Sequence, residues 1–221
     1  MDKKSESINF QDRGGKHDYF YGNEQNIEPT NGLTPSQTVG PFFAYGLTPS
    51  AYEYPLEEIH TASVKSKKLA GTEITLEGQV FDAEGKSIHD ALIEIIQADA
   101  NGEYITEPRN NGFTGYFRTG TGAQGSEESG GDTRFIFETI KPSKTAINSA
   151  PFVTLIITMR GVLNHYITRA YFEGDDYSQD EVMQQVPENR RQTLIAKELS
   201  KNHFRFDIHM QGENETVFFD I

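Results

Sequence analysis

Six histidines, ten tyrosines and no cysteine bound the side-chain chemistry open to this 221-residue chain. Without a thiol there is no disulfide framework, no cysteine-held zinc and no thiol nucleophile. The histidines, His17, His60, His89, His165, His203 and His209, form no H-x-H or H-E-x-x-H pair that brings two imidazoles to one ion. His203 and His209 share an extended run but sit some 20 Å apart at about 3.3 Å per residue, so each reads as a lone surface histidine. No metal site built from this chain alone is legible. Gly120-Thr121-Gly122-Ala123-Gln124-Gly125 follows no strand of a βαβ unit and opens no helix, which argues against dinucleotide binding. A Walker A sequence and a G-x-S-x-G nucleophile elbow are both absent.

The elements that must position any site are mostly strands. From Thr72, Ile74, Leu76, Gly78 and Val80 fall on one face of an extended run, with Glu73, Thr75, Glu77 and Gln79 on the other. Asp82-Ala83-Glu84-Gly85 supplies turn chemistry. Ala91 to Gln97 is apolar on both faces and is expected to be a central, buried strand. Further strands are predicted over 134–140, 153–159, 166–172, 204–210 and 216–219, rich in β-branched and aromatic residues. One helix is predicted over 186–199, with Pro187 early and Leu194, Ile195 and Leu199 as its apolar stripe. Residues 112–131 read as a long, polar, mobile loop. These elements imply an all-β fold, a β-sandwich of mostly antiparallel strands with one or two short helices. Residues 33–221 form that domain, behind a polar extension over 1–32 that is either disordered or docks on a neighbouring chain.

Composition narrows the partners. With a net charge of −13 and no clustered basic patch, the chain is expected to bind no nucleic acid. No apolar run approaches the roughly 20 residues of a membrane span, and residues 1–30 hold no signal-peptide core. The expected location is the cytoplasm. Fifteen phenylalanines and ten tyrosines make the core aromatic-rich.

Leu33-Thr34-Pro35-Ser36-Gln37-Thr38-Val39-Gly40-Pro41-Phe42 resembles the N-terminal motif of intradiol ring-cleavage dioxygenases. The resemblance continues through Leu76–Asp82, Asp90–Glu94, Gln97–Tyr104, Arg118-Thr119 and Glu138–Pro142. It is densest at Arg191–Lys197, Arg205–Ile208 and Gln211–Ile221. In this family, the resemblance implies, an αβ pair is built from two related chains and ferric iron is held by the β chain through two tyrosines and two histidines. Phe152 and Thr154 stand where those histidines are expected, and Ser143-Lys144-Thr145 replaces a loop tyrosine. Tyr104 and Tyr116 are the tyrosines near the remaining ligand position.

The chain is thereby identified as an α-type subunit, inactive alone, whose partner is an iron-bearing β subunit. Fe(III) is expected in the assembled enzyme, on that partner. The implied substrates are O2 and a small aromatic molecule, protocatechuate or a related catechol. Thr38, Gly40, Pro41 and Arg160 are the residues expected to line the partner's substrate pocket, with Gly40 allowing close backbone approach. Arg160 reads either as a fork for the substrate carboxylate or as a sandwich-edge salt bridge. Two alternatives stay open: a homomeric intradiol dioxygenase with unrecognised ligands, and a stand-alone transthyretin-like binding or scaffold protein.

Overall fold

In the computed structural model, which describes residues 46–49, 54–63, 69–105, 113–122 and 133–220, the alternating run after Thr72 forms β1 (Glu73–Gly78). Ile74 and Leu76 point into the core while Glu73 is exposed, as the alternation predicts. A two-residue strand, β2 (Val80–Phe81), follows, and Asp82 then closes the predicted turn by accepting the Glu84 and Lys86 amides. β3 (Leu92–Gln97) lies between β4 (Tyr116–Gly120) and β6 (Phe152–Thr158), with Ile93 and Ile95 fully buried. β5 (Phe135–Ile140) pairs antiparallel with β1, and β7 (Tyr166–Phe172) with β6.

The strands run in the order β4-β3-β6-β7-β8-β9-β1-β5. β8 (Ile195–Ser200) joins two layers: its first residues pair with β7 and its last with β9 (His203–Arg205). The layers pack through one aromatic core, Leu76, Phe135, Phe137 and Phe204 from one side against Ile93, Ile95, Leu155 and Ala170 from the other. The all-β sandwich is therefore the observed fold.

Three elements depart from the sequence expectation. The helix predicted over 186–199 is instead a short helix α1 (Glu181–Gln185), a 3-10 segment (Glu188–Leu194) and β8. Pro187 disfavours helical backbone at Val186, whose ψ of 130° is extended, so the helix stops there. Beyond Leu194, pairing with two neighbouring strands overrides helix propensity, and Leu199 is left exposed. The loop expected over 112–131 contains β4, a strand hidden by its glycine-rich flanks; residues 123–131 lie outside the described residues. The strand predicted over 204–210 is broken into β9 and β10 (Ile208–His209), and 216–219 contributes one bridge, Phe219 to Ile167.

The break has a physical cause. At Gly78–Gln79 and at Phe206–Asp207 both strands leave the large sheet together, and they pair again as β2 and β10. Gln79 N–H donates to Asp207 Oδ1 at 3.1 Å, fixing the crossing. Next to it, buried Glu77 accepts both contacts from Arg134 Nη1 at 2.9 and 3.0 Å and lies 2.9 Å from His203 Nε2. Burial pushes the Glu77 carboxyl up, but the His203 and Arg134 hydrogen bonds outweigh it and hold the carboxyl below its usual value.

The polar extension over 1–32 lies outside the described residues, as does the motif over 33–42 with Thr38, Gly40 and Pro41.

Candidate functional site

The side chains at 152 and 154 are two apart on β6, so they share the face turned away from the main core, where Phe152 is buried in a smaller cluster with Tyr171, Met183 and Leu194. Register with β7 then decides their neighbours: Phe152 opposes Tyr171, and Thr154 opposes Arg169. The Arg169 guanidinium carbon sits 4.1 Å from the centroid of the Phe152 ring and 5.9 Å from that of Phe219. This is a cation held over an aromatic face. Arg169 Nη1 donates to the Tyr171 hydroxyl at 3.4 Å, and that hydroxyl donates to Asp180 Oδ1 at 3.0 Å. Burial and the Asp180 carboxylate push the Tyr171 phenol up to about 12, against the pull of Arg169. Tyr104, half-exposed, is the second phenol near this cation; burial raises its pKa although the Arg169 charge opposes the shift.

The donors here do not suit ferric iron. A phenylalanine ring offers no lone pair, Thr154 offers a neutral hydroxyl, and Arg169 brings a fixed positive charge against any cation. Tyr171 holds its proton toward Asp180 rather than standing as a phenolate. Among the described residues no group of three or more His, Cys, Asp or Glu side chains gathers as a metal cage.

Tyr116 belongs to a different cluster. Its hydroxyl donates to Glu94 Oε1, and Arg118 bonds both, reaching Glu94 at 2.7 Å and the Tyr116 hydroxyl at 2.8 Å. Burial together with Glu94 pushes the Tyr116 phenol up to about 12, so it too keeps its proton. His60 packs edge-on against the Tyr116 ring at 4.5 Å, and burial, then the Arg118 charge, lowers its pKa. This network ties β3, β4 and the segment before β1 together. It is a structural brace.

Arg160 lies past the far end of β6 from Phe152, at least some 20 Å along the strand at about 3.3 Å per residue. Its Nε donates to Asp90, whose side chain is almost fully buried, while more than half of the Arg160 side chain is exposed. The structure thus separates Arg160 from the 152–154 face. Sequence reasoning missed Arg169, Tyr171 and Asp180. Their one signal is an arginine facing outward in an otherwise apolar strand, which becomes informative only once register sets it opposite position 154.

A dioxygenase family model matches residues 38–212. The chain is 41% identical over 197 residues to the protocatechuate 3,4-dioxygenase alpha chain of Burkholderia cepacia, covering 85% of this chain and 97% of that one. It is 28% identical over 176 residues to the beta chain from the same organism, covering 70% and 71% of the two chains. Its fold is similar to the dioxygenase domain of a dioxygenase carbohydrate-binding protein fusion from Streptomyces sp. SirexAA-E. That match has a TM-score of 0.51 at 20% identity, over 83% of this chain and 99% of that one.

Proposed function

The chain belongs to the intradiol ring-cleavage dioxygenase family, and on that premise we propose that it is the α-type subunit of a protocatechuate 3,4-dioxygenase. The assembled enzyme adds both atoms of O2 to protocatechuate and yields 3-carboxy-cis,cis-muconate. The iron sits on a related β chain, and this chain shapes the pocket and stabilises the assembly. One observation supports the reading: the chain is 41% identical to an alpha chain, and Phe152, under the Arg169 cation, and Thr154 stand where the resemblance leads one to expect the family's histidines.

Co-expression with an iron-bearing β homologue tests it. The αβ assembly is expected to hold one ferric ion per pair and to cleave protocatechuate, whereas this chain expressed alone holds none and turns nothing over. Stoichiometric ferric iron on the lone chain, lost in Tyr104→Phe, overturns the assignment in favour of a homomeric enzyme.

Within that assembly Arg160 is proposed to read the substrate carboxylate, with Thr38, Gly40 and Pro41 lining the same pocket. Its Nε is committed to Asp90, which leaves the terminal nitrogens of the fork as donors. Arg160→Ala is expected to lower kcat/KM for protocatechuate roughly 10- to 150-fold, the range of one charged hydrogen bond. Catechol, which has no carboxylate, should be far less affected. Equal losses on both substrates, with iron content and assembly intact, reduce Arg160 to the salt bridge with Asp90.

A further inference from the structure

Among the described residues, the arginines of this acidic chain are almost all spent internally. Arg118, Arg134, Arg160 and Arg205 each meet a carboxylate, on Glu94, Glu77, Asp90 and Asp207. Arg190 and Arg191 donate to backbone carbonyls, of Glu215 and of Val186 and Gln184. Arg169 has neither among the described residues. Its one polar contact among those residues is the long 3.4 Å bond to the Tyr171 hydroxyl, an oxygen already engaged with Asp180.

The rings of Phe152 and Phe219 approach that guanidinium, and they fill space that water would otherwise occupy. Aromatic faces satisfy the charge in part, but they accept no hydrogen bond from the in-plane N–H groups. A half-buried cation with its planar fork unmatched suits a planar, bidentate anion. Two further groups bear on what that anion carries. Thr154 stands directly across the strand pair with a hydroxyl, and aromatic surface beside the charge comes from Phe219, its ring centroid 5.9 Å from the guanidinium, and from the half-exposed Tyr104, whose phenol feels the Arg169 charge.

We propose that Arg169, with Phe152, Thr154 and Tyr104, forms a receiving site for a small aromatic carboxylate at the edge of the smaller hydrophobic cluster on the β6–β7 pair. The carboxylate pairs with the guanidinium edge and the ring of the ligand packs on Tyr104. The cation that makes this place unfit for iron is the group that makes it fit for an anion. Because the site is built wholly from this chain, it does not depend on where the partner binds iron.

Benzoate and acetate serve as probes, on the full chain as purified with its partner. Phenylglyoxal labels accessible arginines, and peptide mass spectrometry reads Arg169 separately from any site on the partner. Benzoate at tenfold its dissociation constant should slow labelling of Arg169 roughly tenfold, with acetate at equal concentration protecting much less. In calorimetry, Arg169→Met, which keeps an apolar stem over Phe152, should lose one benzoate site per chain. Arg169→Lys should bind roughly tenfold more weakly, since it keeps the charge without the fork. An Arg169 that is unreactive, or reactive and unprotected by benzoate, overturns the site. Equal protection by acetate overturns its aromatic class. Turnover is not a readout, so a catalytically silent preparation still decides the matter and leaves the α-subunit reading to its own test.

Discussion

Asp180→Ala is expected to destabilise the protein by about 3–5 kcal/mol, at the upper end of single-substitution effects. The side chain is 2% exposed and accepts four hydrogen bonds. Oδ1 takes the Tyr171 hydroxyl at 3.0 Å and the amides of Val182 and Met183 at 3.1 and 2.8 Å, and Oδ2 takes the Ala150 amide at 2.9 Å. One carboxylate thus caps α1, anchors the entry of β6 and orients the phenol that touches Arg169. Alanine leaves those donors in a space from which water is largely excluded, and an unsatisfied buried donor costs more than a hydrogen bond gains.

Two companion variants apportion the effect. Asp180→Asn keeps an acceptor for the helix cap but presents an NH2 group to one set of donors, and should cost about half as much. Tyr171→Phe removes one donor together with its bond, and should cost about 1 kcal/mol. Urea unfolding midpoints at unchanged m-value measure all three. An Asp180→Ala protein within about 1 kcal/mol of wild type means that water reaches these donors and the hub is not holding the site.

How much of this was legible follows from where the information lies. Period-two alternation is local, so the strands at 73–78, 135–140, 152–158 and 166–172 stand out in the sequence, the last with its observed bounds. Even the missed β4 carries the pattern, with Phe117 buried between half-buried Tyr116 and Arg118. The helix over 186–199 failed because the apolar residues Leu194 and Ile195 answer to tertiary partners: they pack with Phe152, Tyr171 and Met183 rather than along a helix face. The expectation that Phe152 and Thr154 stand in for histidines came from motif position alone. What fills their place was not, because Arg169 meets Phe152 only through β6–β7 register, and Asp180 reaches both strands from a loop. Single-residue chemistry was visible; coincidences of register were not.

Gly78 joins the two kinds of information. By alternation it belongs with Ile74, Leu76 and Val80 on the core face of β1, where a larger apolar residue would ordinarily serve. The structure supplies the reason for glycine: a Cβ there would lie 1.9 Å from the Phe206 carbonyl oxygen and 2.6 Å from Phe135 Cζ. The first contact is with backbone, and that backbone is pinned. Phe206 N–H donates to Glu77 O and Ile208 N–H to Gln79 O, both at 2.8 Å, on either side of the crossing between the sheets. Gly78→Ala must therefore break the crossing or displace β9 and β10, and is expected to cost more than about 4 kcal/mol, seen as insoluble protein or a much lower unfolding midpoint. Gly85→Ala is the control. Gly85 has φ of 77° and open space where a Cβ would go, so alanine there meets conformational strain alone, about 1–2 kcal/mol. Similar midpoints for the two variants would mean that the β1 backbone yields at Gly78 and that the close approach does not hold the two sheets in register.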